Sequence, residues 1–299
     1  MNAFYQLTKR HMLLYFKDRS AVFFSLLSVL IVLLLMLVFL GDMNKEELMN
    51  LLQSLRINAS EEEVNHVIIL WTIAGILSVN AFTIPITMIG RFIQDKEEHK
   101  LENFFTSPLP RSLLIASYVG SAILTSIIMS TIILALSAGY VMSCGFSFLT
   151  SVELLQVAGV LLLNILVSSS IILLIAQWVH SMNAWGAFAT LSGTLIGFLG
   201  GIYLPLGSLS SLIQTILKSL PFLQETSMLR TIMTQRALQD IFTGQPAVLQ
   251  GYKEAMGITL TFHNSEISIM TQTLGLALCG IIVSALSIYL LKEHSIFGK

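Results

Sequence analysis

Long stretches of this chain contain no Asp, Glu, Lys or Arg, among them residues 20–41, 67–90, 112–152 and 154–217. An uncharged apolar run of about 20 residues is long enough to cross the hydrocarbon core of a bilayer as a helix. In the first run, eight leucines lie between Ala21 and Leu40, and on an insertion scale they alone favour the membrane by about 2–5 kcal/mol. Only 11% of the 299 residues are charged, against roughly 25% in a soluble domain. The pattern predicts an all-α polytopic membrane protein, one transmembrane domain over residues 1–299.

The runs predict six spans, at about 20–41, 67–90, 112–140, 154–179, 184–204 and 268–291. Residues 112–152 are too long for one span, and Ser143-Cys144-Gly145 reads as a turn. Residues 154–217 divide near His180-Ser181-Met182-Asn183, and such short connections imply antiparallel neighbours. Orientation follows from the basic residues near span ends. Lys9, Arg10, Lys17 and Arg19 precede the first span, and Arg91, Lys96, Lys100 and Arg111 separate the second from the third. The intervening loop, 42–66, has only Lys45 and Arg56 among several acids. Both termini are therefore expected in the cytoplasm. Residues 3–19 read as a helix on the membrane surface, with Phe4, Leu7, Met12, Leu14 and Tyr15 on a broad apolar arc and Gln6, Arg10 and Lys17 opposite. The blander reading is that these charges only fix topology.

The stretch RFIQDKEEHKLENFFTSPLPRS, residues 91–112, breaks the apolar pattern most sharply. Six of the eight residues from Asp95 to Glu102 are charged. On a helical wheel Leu101, Phe104 and Phe105 share a narrow arc, with Lys96, His99, Glu102 and Asn103 opposite. Asp95 and Glu97 would occupy the first turn, where carboxylates favour the helix dipole, and Pro108 and Pro110 would stop the helix. Periodicity alone fits an amphipathic helix between two spans, and equally a solvated loop.

This block resembles the acidic-basic-acidic, Leu-Glu, hydrophobic, Thr-Ser-Pro stretch of type-2 (ABC-2) exporter permeases. The match runs through Asp95, Lys96, Glu97, Leu101, Glu102, Phe104, Phe105, Thr106, Ser107, Pro108 and Arg111. A second stretch, GGIYLPLGSLSSLIQTILKSLPF, is similar to that family's Gly, Pro-Leu, short apolar helix, Leu-Pro pattern, carried by Gly201, Pro205, Leu206, Leu220, Pro221 and Phe222. The chain departs where the family often has Gly and Thr, at His99 and Lys100, and a second base, at Glu98. The resemblance implies that Asp95, Glu97, Leu101, Glu102, Phe104, Phe105 and Pro108 form a coupling helix seated on a separate cytoplasmic ATPase. It further implies a permease dimer with a second or paralogous copy, export across the plasma membrane, and ATP and Mg held by the partner. Aromatic anchors with a charged rim suit such an interface.

No Gly-x-x-x-x-Gly-Lys-Ser/Thr, His-Glu-x-x-His or Gly-x-Ser-x-Gly motif occurs in the sequence, so no phosphate-cradling loop or hydrolase site is expected. Cys144 and Cys279 offer no metal-ligand spacing, and no cofactor or nucleic-acid partner is expected. Ion-coupled carriers keep buried acids or histidines at mid-membrane; here Glu153 and His180 are the candidates, both near span ends. Gly193, Gly197, Gly200 and Gly201 form either a dimer or gating seam or ordinary packing. Residues 206–220, between Pro205 and Pro221, are amphipathic and too short to span, and the resemblance implies a re-entrant element closing the outer side. Residues 222–267 are expected to form an external cap. The resulting reading is an ATP-driven exporter permease for an amphipathic drug, peptide or lipid-linked molecule. An ion-coupled or passive carrier is the alternative, followed by a membrane anchor or sensor.

Overall fold

The structure, a computed structural model, describes residues 2–20, 22–23, 27, 31, 41–101, 109–262 and 265–293. The expected first span lies almost entirely outside these described residues. Ten α-helices follow among them: α1 (Asn2–Lys17), α2 (Gly41–Ser54), α3 (Glu61–Glu97), α4 (Arg111–Ser143), α5 (Ser151–Ala176), α6 (Met182–Leu199), α7 (Ser211–Ser219), α8 (Pro221–Ile241), α9 (Pro246–Ala255) and α10 (Ile269–Glu293). A 3₁₀ turn (Leu206–Ser208) precedes α7. A two-strand ribbon, β1 (Thr261–Phe262) with β2 (Ser265–Glu266), precedes α10. Of these helices α3, α4, α5 and α10 are long and apolar enough to cross a membrane.

Helix α3 is the axis of the bundle. Its 37 residues make a rod of about 55 Å, longer than the roughly 30 Å hydrocarbon layer and longer than the expected 67–90. It starts earlier because Ser60 and Glu63 form a capping box: Glu63 N donates to Ser60 Oγ at 3.2 Å, and Ser60 N donates to Glu63 Oε2 at 2.8 Å. The apolar segment of α3 is almost wholly buried, packed by α4, α5, α6, α8 and α2. By contrast α10 lies on α5 with Leu274, Leu278, Ile281 and Ile288 exposed, a surface suited to lipid or a neighbouring helix.

The far end of α3 overturns one expectation. Asp95 and Glu97 do not open a new helix; they sit in the last turns of this one. The stop comes at His99, with φ +57°, where Lys100 N bonds Asp95 O at 2.9 Å and His99 N bonds Lys96 O at 3.2 Å. That pair of bonds is a Schellman stop, whose left-handed position normally favours glycine. A β-carbon there costs about 1–2 kcal/mol, partly offset by the looser unfolded chain that glycine would bring. His99→Gly should therefore stabilise the fold by about 0.5–1 kcal/mol, read as a raised unfolding temperature. An unchanged or lowered temperature would contradict this account of the stop.

Helix α1 does not simply lie on a membrane surface. Leu7, Thr8, His11 and Tyr15 are buried against the bundle, chiefly on α4. There Gly120 admits the Phe4 ring, which a β-carbon would meet at 2.9 Å. Of the expected apolar arc only Leu7 and Tyr15 are buried, while Phe4 and Leu14 stay exposed.

Two large apolar cores result, beside a small one of Leu206, Leu217, Leu223 and Leu260. One, in the half holding α2 and the start of α3, gathers Val67, Trp71, Leu77, Ile133, Leu161 and Met228. The other gathers Phe82, Ile89, Phe92, Tyr118, Met129, Ile172 and Trp185 around the end of α3. Between them α3 contributes Ser78 and Asn80, α4 Ser130, α5 Asn164 and Ser168, and α8 Thr226, all buried.

Candidate functional site

The polar residues between the two cores are joined. Thr226 Oγ1 donates to Ser78 Oγ at 2.9 Å, and Asn164 Nδ2 reaches the same oxygen at 3.4 Å. Ser168 Oγ donates to Asn164 Oδ1 at 3.0 Å, and Asn80 Nδ2 to Ser130 Oγ at 3.3 Å. Ser78 lies at the middle of the uncharged run 67–90, so this layer sits at mid-depth. Polar groups without water must find each other, and such bonds fix the relative positions of the helices that carry them.

Helix α8 reaches this layer from within the region expected to be an external cap. Pro221 occupies its first turn, as suits a residue with no N–H to satisfy. Phe222 stands edge-on to Phe82 at 4.7 Å. From there α8 runs beside α3 with Glu225, Thr226, Arg230 and Thr234 buried. Residues 221–241 thus pack along α3, α5 and α10 rather than standing apart as a cap. Helix α7 packs against α8, and this helical hairpin meets the layer at Thr226.

Arg230 is the fastener of this hairpin. Its guanidinium lies 3.8 Å from the Trp71 ring centroid. It donates to Gly201 O at 2.8 Å and to Met256 O at 3.4 Å. Trp71 Nε1 donates to the same Met256 carbonyl at 2.9 Å. Ser227 and Thr231 hold Ile258 O at 2.8 and 2.6 Å. One buried cation thus ties α8, α3, the end of α6 and the segment after α9.

The end of α6 explains the glycines. Gly201 has φ +61°, and Ile202 N bonds Gly197 O at 2.8 Å, so the helix stops at Leu199, short of the expected 204. A β-carbon on Gly197 would lie 2.3 Å from the Tyr203 ring, and one on Gly200 would lie 3.1 Å from Thr226 Oγ1. These three glycines pack within the bundle. Gly193 has open space beside it, on the side of the helix opposite the exposed Leu191, Leu195 and Phe198. Pro205 introduces the 3₁₀ turn.

At the opposite end Asp95 and Glu97 are engaged inside the chain. Tyr118 Oη donates to Asp95 Oδ2 at 2.6 Å, and the His11 ring stacks on Tyr118 at 4.0 Å. Burial, with help from neighbouring Arg10, lowers the His11 pKa to about 4, so it packs as a neutral ring. Glu97 Oε2 accepts from Met182 N at 2.9 Å, capping the start of α6. Trp185 Nε1 donates to Ile86 O at 3.2 Å, and Gly90 makes room, since a β-carbon there would lie 2.5 Å from that nitrogen. Leu101 is buried in the adjoining core rather than displayed. Glu102, Phe104, Phe105 and Pro108 lie outside the described residues.

Sequence reasoning missed Glu225. It is 1% exposed, and neither carboxyl oxygen has a hydrogen-bond partner among the described residues. Of the acids that were considered, Glu153 completes a capping box with Thr150 and pairs with Arg236 at 3.1 Å. His180 is exposed in the turn before α6. The signal for Glu225 was its place four residues after Pro221 in a segment with Leu223, Met228, Leu229, Ile232 and Met233 at helical spacing.

The family model described as ABC-2 type transporter matches residues 2–234, more than three quarters of the chain. No curated protein matches it.

Proposed function

The chain belongs to the ABC-2 type transporter family and is a membrane-spanning permease component of an ABC transporter, and from that premise we propose that it is half of an ATP-driven exporter. Permeases of this family work with an ATP-binding subunit. The proposed assembly is two six-span halves, this chain and a second or paralogous copy, on cytoplasmic ATPase subunits that hold ATP and Mg. Residues 20–41 supply the first span, and α6 with its following turn supplies the fifth. Both termini face the cytoplasm at the plasma membrane. Glu102, Phe104, Phe105 and Pro108 dock on the ATPase, while Asp95 and Glu97 anchor that docking segment to α4 and α6. ATP binding draws the two coupling segments together and shifts α3 and α6. The re-entrant hairpin then yields at Gly201 and Pro205, and an amphipathic substrate leaves on the outer side.

One observation carries this reading: α3 joins the start of the charged block and the mid-depth polar layer in a single unbroken helix. A push at one end therefore reaches the hairpin along one helix, in which Pro85 leaves a single backbone carbonyl without its helical donor. Glu225 favours a second reading, because ion-coupled carriers keep acids at such depth.

Reconstitution separates the two. The purified chain alone should neither bind nor hydrolyse ATP. With its ATPase it should export in ATP, and ionophores that collapse ion gradients should leave export intact. Export that ignores ATP and stops with the gradient would move the assignment to the carrier. Cysteines at Ser107 and Lys299 should be shielded from impermeant thiol reagents in intact cells, and one at Gln250 labelled. Labelling at Ser107 from outside would reverse the orientation and remove the docking segment from the ATPase.

A further inference from the structure

A cavity of about 500 Å³ opens where α2, the turn after Pro205 and α9 meet, in the size range of sites for small molecules. Leu51, Pro205, Val248 and Met256 give it apolar walls. Glu47 is the charged residue in its lining, so the field inside it is negative. Asn44 and Tyr252 also line it, and both are more than nine-tenths buried. Asn44 Nδ2 and Tyr252 Oη have no hydrogen-bond partner among the described residues. Both atoms are closed off from solvent, so the surface offered to a ligand is chiefly the apolar wall and Glu47.

The position of the cavity adds to its chemistry. One wall is the Pro205–Ser208 turn, which begins four residues after Gly201; another is Met256. Arg230 donates to the backbone carbonyls of both Gly201 and Met256. The residue that fastens the hairpin therefore holds two walls of the cavity in register.

We propose that this cavity is a binding site for cationic amphiphiles, taken up as they leave on the outer side. An apolar body would fill the walls and its positive group would face Glu47. The assignment rests on the exporter reading for its direction, but binding itself needs no ATPase.

Tetraphenylphosphonium and tetraphenylborate, near-identical in shape and opposite in charge, make the test. Binding is measured by equilibrium dialysis to the purified full chain in phosphatidylcholine nanodiscs. The cation should bind saturably and the anion should not. Glu47 is exposed, so Glu47→Gln should fold normally and weaken cation binding roughly threefold to tenfold. Gly251 has open space beside it, so Gly251→Trp can fill the cavity and should abolish saturable binding. Equal binding of both ions, no saturable binding of the cation, or binding unchanged in Gly251→Trp would each overturn the proposal. Lost binding with ATP-driven export intact would sink the site alone, and saturable binding without ATP-driven export would sink the exporter reading alone.

Discussion

Arg230→Ala should release the outer end of the chain from the bundle. The guanidinium holds Gly201 O and stacks on Trp71, at 2.8 and 3.8 Å. A charge-assisted bond contributes about 1.5–3 kcal/mol, and a desolvated cation–π contact about 2 kcal/mol. Relief of the buried charge offsets part of this, leaving a net loss of about 2–3 kcal/mol. Met256 O would keep Trp71 as its donor, but Gly201 O would lose its buried partner. The unfolding temperature should fall, and hydrogen exchange should rise at residues 200–206 and 252–260. Arg230→Lys should recover little, because an ammonium cannot present a planar fork to two carbonyls. Exchange and unfolding indistinguishable from wild type would mean that the hairpin is held by Ser227, Thr231 and packing instead.

Phe104→Ala combined with Phe105→Ala should abolish both ATP-driven export and co-purification of the ATPase. With Leu101 buried in the core around the end of α3, the docking proposed for this segment would rest on the two aromatics. Central aromatic anchors cost roughly 2–4 kcal/mol each when truncated, about 30- to 1,000-fold in affinity, and paired losses are not additive. The spans carry their own insertion energy, so the double variant should reach the membrane in normal amount. Glu102→Ala should give an intermediate loss. A double variant that exports normally with its ATPase bound would show that residues 102–108 form a solvated loop.

The long helices were legible because an uncharged run is their cause: lipid selects length and polarity directly, and 112–140 and 154–179 differ from Arg111–Ser143 and Ser151–Ala176 by only a few residues. Helix α8 was not legible by that criterion. Its Thr226, Ser227, Arg230 and Thr231 make it polar in sequence, and it is buried because these groups find oxygens on Ser78, Gly201, Met256 and Ile258. The end of α3 was misread because charge does not stop a helix. A left-handed residue does, and at His99 nothing in the side chain announces it. The same blindness applies to α1, whose buried face is chosen by the space at Gly120, a partner that periodicity cannot see. Among the candidate residues, the backbone role of Gly201 was within reach of its Gly-then-Pro pattern. Glu225 was harder to find: its helical spacing put it among apolar residues, but a lone acid in a mixed segment looks solvated until its neighbours close over it.

The seat of Trp185 against Gly90 divides α3 unequally. About 44 Å of helix lies on the side of Glu61 and about 10 Å on the side of Glu97. If α3 pivots there as a stiff rod, each ångström moved at the short arm becomes about four at the long one. In the proposed exporter a small stroke at the Glu97 end would thus reach the Glu61 end enlarged up to fourfold and reversed, less what Pro85 takes up as a bend, as in a crane whose fulcrum is set close to the hand.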